Sequence, residues 1–223
     1  DKTGKEEGEW VKTNDGPGKR FYHAMATLGS GKILMYGGYD GTNILGGSFI
    51  FSTNSQTGKE EGQWTRINVD VPERAGHAMS TVEPGKILMY GGFDNTHNAV
   101  KTSYIFSTSS KTGTEKYNWT KIVDESGDGP GNRCYHAMVS LAPGIILTYG
   151  GQVSDANILN NAFIFSTKST TEKEEYQWQK SKDGPSKRAY HAMALFDSNT
   201  TLMYGGKNSN NTFSDAFFYH VSI

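Results

Sequence analysis

"RFYHAMATLGSGKILMYGG", residues 20–38, sets an arginine three places before a histidine, follows them with two short apolar runs and ends on paired glycines. The block returns three times. "RAGHAM" begins at Arg74, "RCYHAM" at Arg133 and "RAYHAM" at Arg188, so the histidines fall at 23, 77, 136 and 191, at intervals of 54, 59 and 55 residues. Behind each comes a run ending at Gly38, Gly92, Gly151 or Gly206, then a third run: "SFIFST", "SYIFST", "AFIFST" and "AFFYHV". In the first three copies a tryptophan stands 13 residues past that run's last aromatic, pairing Phe51 with Trp64, Phe106 with Trp119 and Phe165 with Trp178. Self-similarity at such a period marks an array in which each unit covers its neighbour's apolar face.

Each unit reads as four short strands, at "HAM", "ILMY", "FIF" and the tryptophan. The second and third runs are apolar at consecutive positions, which requires cover on both faces of each small sheet. "GSGK" and "EPGK" are hairpin turns, and the double glycine permits positive φ where the second strand leaves the sheet. Composition agrees: 27 glycines, 12% aromatic and 35% apolar residues suit strands and turns, and no helical period of useful length intervenes.

Four-stranded units of about 50 residues with a "GG" doublet, a placed aromatic and a tryptophan resemble kelch repeats from Trp10 to the chain's end. That resemblance implies an all-β fold, a propeller of four blades, at about 19–68, 73–123, 132–181 and 187–223, in a single domain over 1–223. "TGKEEGEW" (3–10) nearly copies "TGKEEGQW" (57–64), while "AFFYHVSI" stops before any tryptophan. The expectation is therefore that residues 8–13 supply the fourth blade's missing strand and close the ring, giving a monomer; a fragment of a longer array, or a ring completed by a second chain, is the alternative. Opening on Asp1, the chain reads as a trimmed product.

Net charge of −1 gives no basic field for nucleic acid or an anionic membrane. The apolar runs are far shorter than the roughly 18 to 20 residues of a membrane span, and no apolar leader opens the chain. Cys134 is the single cysteine, which excludes an internal disulfide and a multi-thiolate zinc site. The compartment stays open, with a lean to the cytoplasm.

An enzyme needs one asymmetric constellation, yet the arginine and histidine recur in every copy. Within the kelch class, galactose oxidase and nitrile-specifier chemistry lack their residue sets here, and Arg188 with Asp183 or Asp215 imitates the acid and arginine of sialate mutarotases only loosely. No catalytic residue, metal ligand or cofactor is assigned. The four histidines read as strand-start residues, with an axial imidazole ring as the less favoured alternative. In kelch domains of substrate adaptors, arginines before the first strand line the pocket mouth and grip acidic side chains. The resemblance thus implies that Arg20, Arg74, Arg133 and Arg188, with Tyr22, Tyr135 and Tyr190 two places on (Gly76 in the second copy), form a partner-binding rim. Loops after "GG" differ most between copies and add Tyr39, Asp40, Phe93 and Asp94. The expected ligand is a partner protein or acidic peptide. A carbohydrate is the alternative, suggested by the loops' Asn, Asp and aromatic residues, as a lectin or a sugar-converting enzyme would use them.

Overall fold

The computed structural model describes residues 8–29, 31–53, 62–110, 114–124, 127–169 and 174–221. Among them are seventeen strands and no helix, so none is long and apolar enough to cross a membrane. Blade 1 holds β1 (Ala24–Gly29), β2 (Lys32–Tyr36), β3 (Ser48–Thr53) and β4 (Gly62–Ile67). Blade 2 repeats this order with β5 (Ala78–Glu83), β6 (Lys86–Tyr90), β7 (Ser103–Ser110) and β8 (Glu115–Ile122). Blade 3 begins with β9 (Ala137–Ala142) and β10 (Ile145–Tyr149), then projects a small hairpin of β11 (Gln152–Ser154) and β12 (Asn157–Ile158). It finishes with β13 (Ala162–Ser169) and β14 (Glu174–Lys180). Blade 4 has β15 (Ala192–Asp197), β16 (Thr200–Tyr204) and β17 (Ala216–His220). Every pairing is antiparallel, and the four sheets form a four-bladed β-propeller. Most of both "TGKEEG" spacers, at 3–7 and 57–61, lies outside the described residues.

The continuous apolar runs are buried because each blade caps the next. Leu34, Tyr36 and Ile50 of blade 1 share a core with Met79, Ile87, Met89 and Phe106 of blade 2. Val82, Leu88 and Tyr90 meet Phe163, Phe165 and Trp178 across the next seam. A buried residue of this size contributes about 1.5–3 kcal/mol relative to an exposed one, so the seams hold most of the stability. Indoles lock two of them. Trp119 packs edge-on to Tyr36 and its Nε1 donates to Ser48 Oγ at 2.9 Å; Trp178 does the same with Tyr90 and Ser103, at 3.3 Å.

A second lock runs around the axis. Gly76 N donates to Tyr22 O, Tyr135 N to Gly76 O and Tyr190 N to Tyr135 O, at 2.9, 2.8 and 2.9 Å. The four residues all sit in the left-handed region, with φ of 58°, 64°, 56° and 62° along the chain. At the seam between blades 4 and 1 no such backbone bond joins Tyr190 to Tyr22 among the described residues, and β15 does not pack beside β1 as β5 and β9 pack beside their predecessors. Accordingly Met25 is exposed where Met79 is buried.

The expected closure by the tryptophan segment does not occur. Residues 8–13 form no strand, Trp10 is fully exposed at 102%, and the fourth sheet has three strands. The linker that follows packs on blade 1, where Asn14 Nδ2 donates to Gly62 O at 2.9 Å and Gly16 lies against the Trp64 indole, as Gly129 lies against Trp178 in blade 3.

Candidate functional site

The four arginines occupy equivalent places and make the same bond. Nη1 of Arg20, Arg74, Arg133 and Arg188 donates to the carbonyl of Gly37, Gly91, Gly150 and Gly205 at 2.9, 3.0, 2.8 and 2.7 Å. Each guanidinium also lies over a third-strand ring, Phe49, Tyr104, Phe163 or Phe217, at 5.2, 5.0, 5.4 and 5.5 Å. Further acceptors vary by copy: Thr102 for Arg74, Asn161 for Arg133, and a two-pronged pair with Asp215 for Arg188. Arg74, Arg133 and Arg188 are 2, 0 and 0% exposed. Their expected place at the pocket mouth is therefore corrected: the three guanidinium groups are buried inside their blades, and only Arg20 keeps part of its surface.

The tyrosines two residues on behave differently. Because the left-handed turn aims its side chains at the axis, Tyr22, Tyr135 and Tyr190 converge there. Tyr135 stacks on Tyr190 at 4.2 Å and meets Tyr22 edge-on at 5.0 Å; Phe93 joins at 5.6 Å from Tyr135. Gly76 makes room, since a Cβ there would stand 2.8 Å from Tyr135 and 3.0 Å from Phe93. These rings, with Tyr39, His97, Asn98, Gln152 and Asp155, line an open bowl of about 520 Å³ on the face carrying the loops that follow the glycine doublets. Tyr22 and Tyr190 remain 41% and 40% exposed. Lys207 Nζ covers part of Tyr190, 4.9 Å from its centroid.

The sequence model for the KLHDC2/KLHL20/DRC7 Kelch-repeats domain matches residues 59–222. The chain belongs to the kelch-repeat family. Curated relatives agree. Adagio protein 3 of Arabidopsis thaliana is 25% identical over 199 residues, covering 85% of this chain and 31% of that protein. Adagio-like protein 3 of rice is 22% identical over 175 residues, 78% and 26% of the two chains. Rho GTPase-activating protein gacHH of Dictyostelium discoideum is 26% identical over 154 residues, 67% and 9%. The chain thus spans under a third of the length of the relatives it matches.

Within this kelch propeller, Asp40 and Asp94 do not project as free rim carboxylates. Asp40 Oδ1 accepts from the amides of Thr42 and Asn43, both at 2.7 Å, and Asp94 Oδ1 from Thr96 and Asn98, at 2.9 and 3.3 Å. Bonds from Asn43 and Thr42 hold the Asp40 carboxyl below its ordinary range. They shape the loops that present Tyr39 and Phe93. Gln152 and Asp155 are bowl residues that sequence reasoning passed over, and their signal was positional. The residue after each doublet, Tyr39, Phe93, Gln152 or Lys207, bridges back to the residue after each arginine, so Gln152 stands where Tyr39 and Phe93 do. Cys134 is buried and its thiol is pushed up to about 12 by burial, which makes it a packing residue.

The kelch histidines serve the seams. His77, His136 and His191 lie edge-on to Tyr36, Tyr90 and Tyr149 of the preceding blade, and among the described residues no group of three or more His, Cys, Asp or Glu gathers to hold a metal. Burial, then the Arg188 charge, pushes His191 down to about 4; burial, then the charges of Arg74 and Arg133, lowers His77 and His136 well below the usual imidazole value. A base whose folded pKa is depressed gives stability that is complete above its unfolded pKa of about 6.5 and falls as pH drops towards the folded value. His191 alone should account for about 2 kcal/mol of loss by pH 5. Urea melts at pH 7 and 5 test this: His191→Gln should show a shallower dependence on pH than the parent, and an equal slope refutes it.

Proposed function

We propose that the aromatic bowl is a recognition site for a partner protein, which inserts an apolar or aromatic side chain among Tyr22, Phe93, Tyr135 and Tyr190. One observation carries this reading. Three tyrosines are held in a left-handed conformation that costs a side-chain-bearing residue about 1–2 kcal/mol, at a position where Gly76 shows that glycine fits the same backbone. The strain keeps half-exposed rings on the axis, and packing alone does not require them. Buried arginines remove the grip on acidic side chains, so binding should barely respond to salt. A sugar is less well served, because Asp40, Asp94 and Asn208 spend side-chain oxygens on their own loop amides.

Selection of a random peptide library on the intact chain tests the proposal. Peptides so obtained should lose at least about tenfold in affinity on Tyr135→Ala and Tyr190→Ala and none on Lys116→Ala, which lies on the exposed β8. Binders indifferent to both tyrosines would remove the bowl from consideration.

A further inference from the structure

Asp155 is the one acid among the described residues that line the aromatic bowl. It sits in the turn of the hairpin that blade 3 projects, between Ser154 of β11 and Asn157 of β12. Two bonds fix it there. The buried Gln152, whose backbone pairs in both directions with Cys134, donates from Nε2 to Asp155 Oδ1 at 3.0 Å, and Ser209 Oγ of blade 4 donates to the Asp155 carbonyl at 2.9 Å. Asp40 and Asp94 turn their carboxylates onto the amides of their own loops, whereas Asp155 Oδ2 has no donor among the described residues and the residue is exposed at the rim. Its charge reaches the rings. Burial, and in smaller part the Asp155 carboxylate, push the Tyr190 phenol up to about 12.

We propose that the side chain received by the bowl is an aromatic one with its own donor, the indole N–H of tryptophan or the phenol O–H of tyrosine, and that Asp155 selects it by accepting that hydrogen. The inference rests on the bowl as the recognition site and narrows what enters it. Three kinds of side chain compete. An aliphatic residue or phenylalanine would cover the carboxylate, displace its water and offer no donor in exchange, a loss that falls hardest on a charged group. Lysine or arginine would offer donors, but Lys207 Nζ already lies 4.9 Å from the Tyr190 centroid, so the bowl has a resident cation to balance its one carboxylate. A second cation would meet the charge of the first. A neutral N–H or O–H gives Oδ2 a charge-assisted bond without adding charge, while its ring packs against Tyr135 and Phe93. The bowl's volume of about 520 Å³ leaves room for an indole.

Peptides selected from a random library on the intact chain, and dependent on Tyr135, test this through a double-mutant cycle. Each should anchor through a tryptophan or tyrosine whose replacement by phenylalanine costs at least about tenfold in affinity for the parent chain and less than about twofold for Asp155→Ala. Methylating the anchor's N–H or O–H should weaken binding to the parent as much as phenylalanine does, a comparison that leaves the protein unaltered. Anchors that are aliphatic, phenylalanine, lysine or arginine overturn selection by Asp155 and leave the bowl standing as the recognition site. So does a phenylalanine replacement that costs the same on both chains. Binders indifferent to Tyr135 and Tyr190, or a selection that yields no binder, remove the bowl and this inference together.

Discussion

Arg133→Ala is expected to destabilise the chain by about 4 kcal/mol, against less than about 1 kcal/mol for Arg20→Ala. Both side chains reach the first carbonyl of their own glycine doublet. They differ in what surrounds them. Arg133 is wholly buried and also donates to Asn161 Oδ1 at 2.9 Å and to the carbonyl of Pro130. Truncation takes the donor from three acceptors inside the blade and strips the cation from the face of Phe163. Arg20 has solvent beside it, so water replaces what its loss removes. Arg133→Lys should recover less than half the difference, because an ammonium cannot span carbonyls that the planar fork reaches together. Equilibrium urea denaturation of the three variants decides the matter: if Arg133→Ala and Arg20→Ala agree within about 1 kcal/mol, the guanidinium is not the buckle of the blade.

What could be read from the chain alone was whatever repeats. Four copies of the arginine, the doublet and the apolar runs contain the strand order and the burial of both sheet faces, since continuous apolar runs have no other stable arrangement. The sequence is silent on the direction of a side chain whose chemistry suits two environments. Guanidinium binds a ligand's carboxylate and a blade's own carbonyls equally well, and only the turn geometry sends Arg133 inward and Tyr135 to the axis. Gly76 held the missing clue, because a glycine standing in for three tyrosines signals a backbone that needs positive φ, and hence side chains thrown to one side. The expected closure failed for a related reason. A resemblance between residues 3–10 and 57–64 shows that Trp10 suits a strand, and it says nothing of which sheet that strand would join.

Gly150→Ala is expected to cost about 4 kcal/mol, combining left-handed strain of about 1–2 kcal/mol with overpacking at the seam. Its φ is +64°, and a Cβ would stand 2.6 Å from the carbonyl oxygen of Arg188 and 2.9 Å from His191 Cε1. Neither neighbour can retreat freely: Gly151 N bonds that same carbonyl at 2.9 Å, and His191 is pinned against Tyr149. Gly131→Ala is the control, with φ of +75° and nothing within 4 Å, so it should show the strain and little else. The damage should also be local. Outside the aromatic cluster at the axis the blades pack on their neighbours, so pushing blade 4 off blade 3 leaves the seams between blades 1, 2 and 3 intact. Native-state hydrogen exchange on Gly150→Ala should therefore show β15, β16 and β17 losing protection while β6 and β7 keep theirs. Uniform loss across all four blades would mean that the propeller opens as one cooperative unit, and the seams could then not be treated as separate sources of stability.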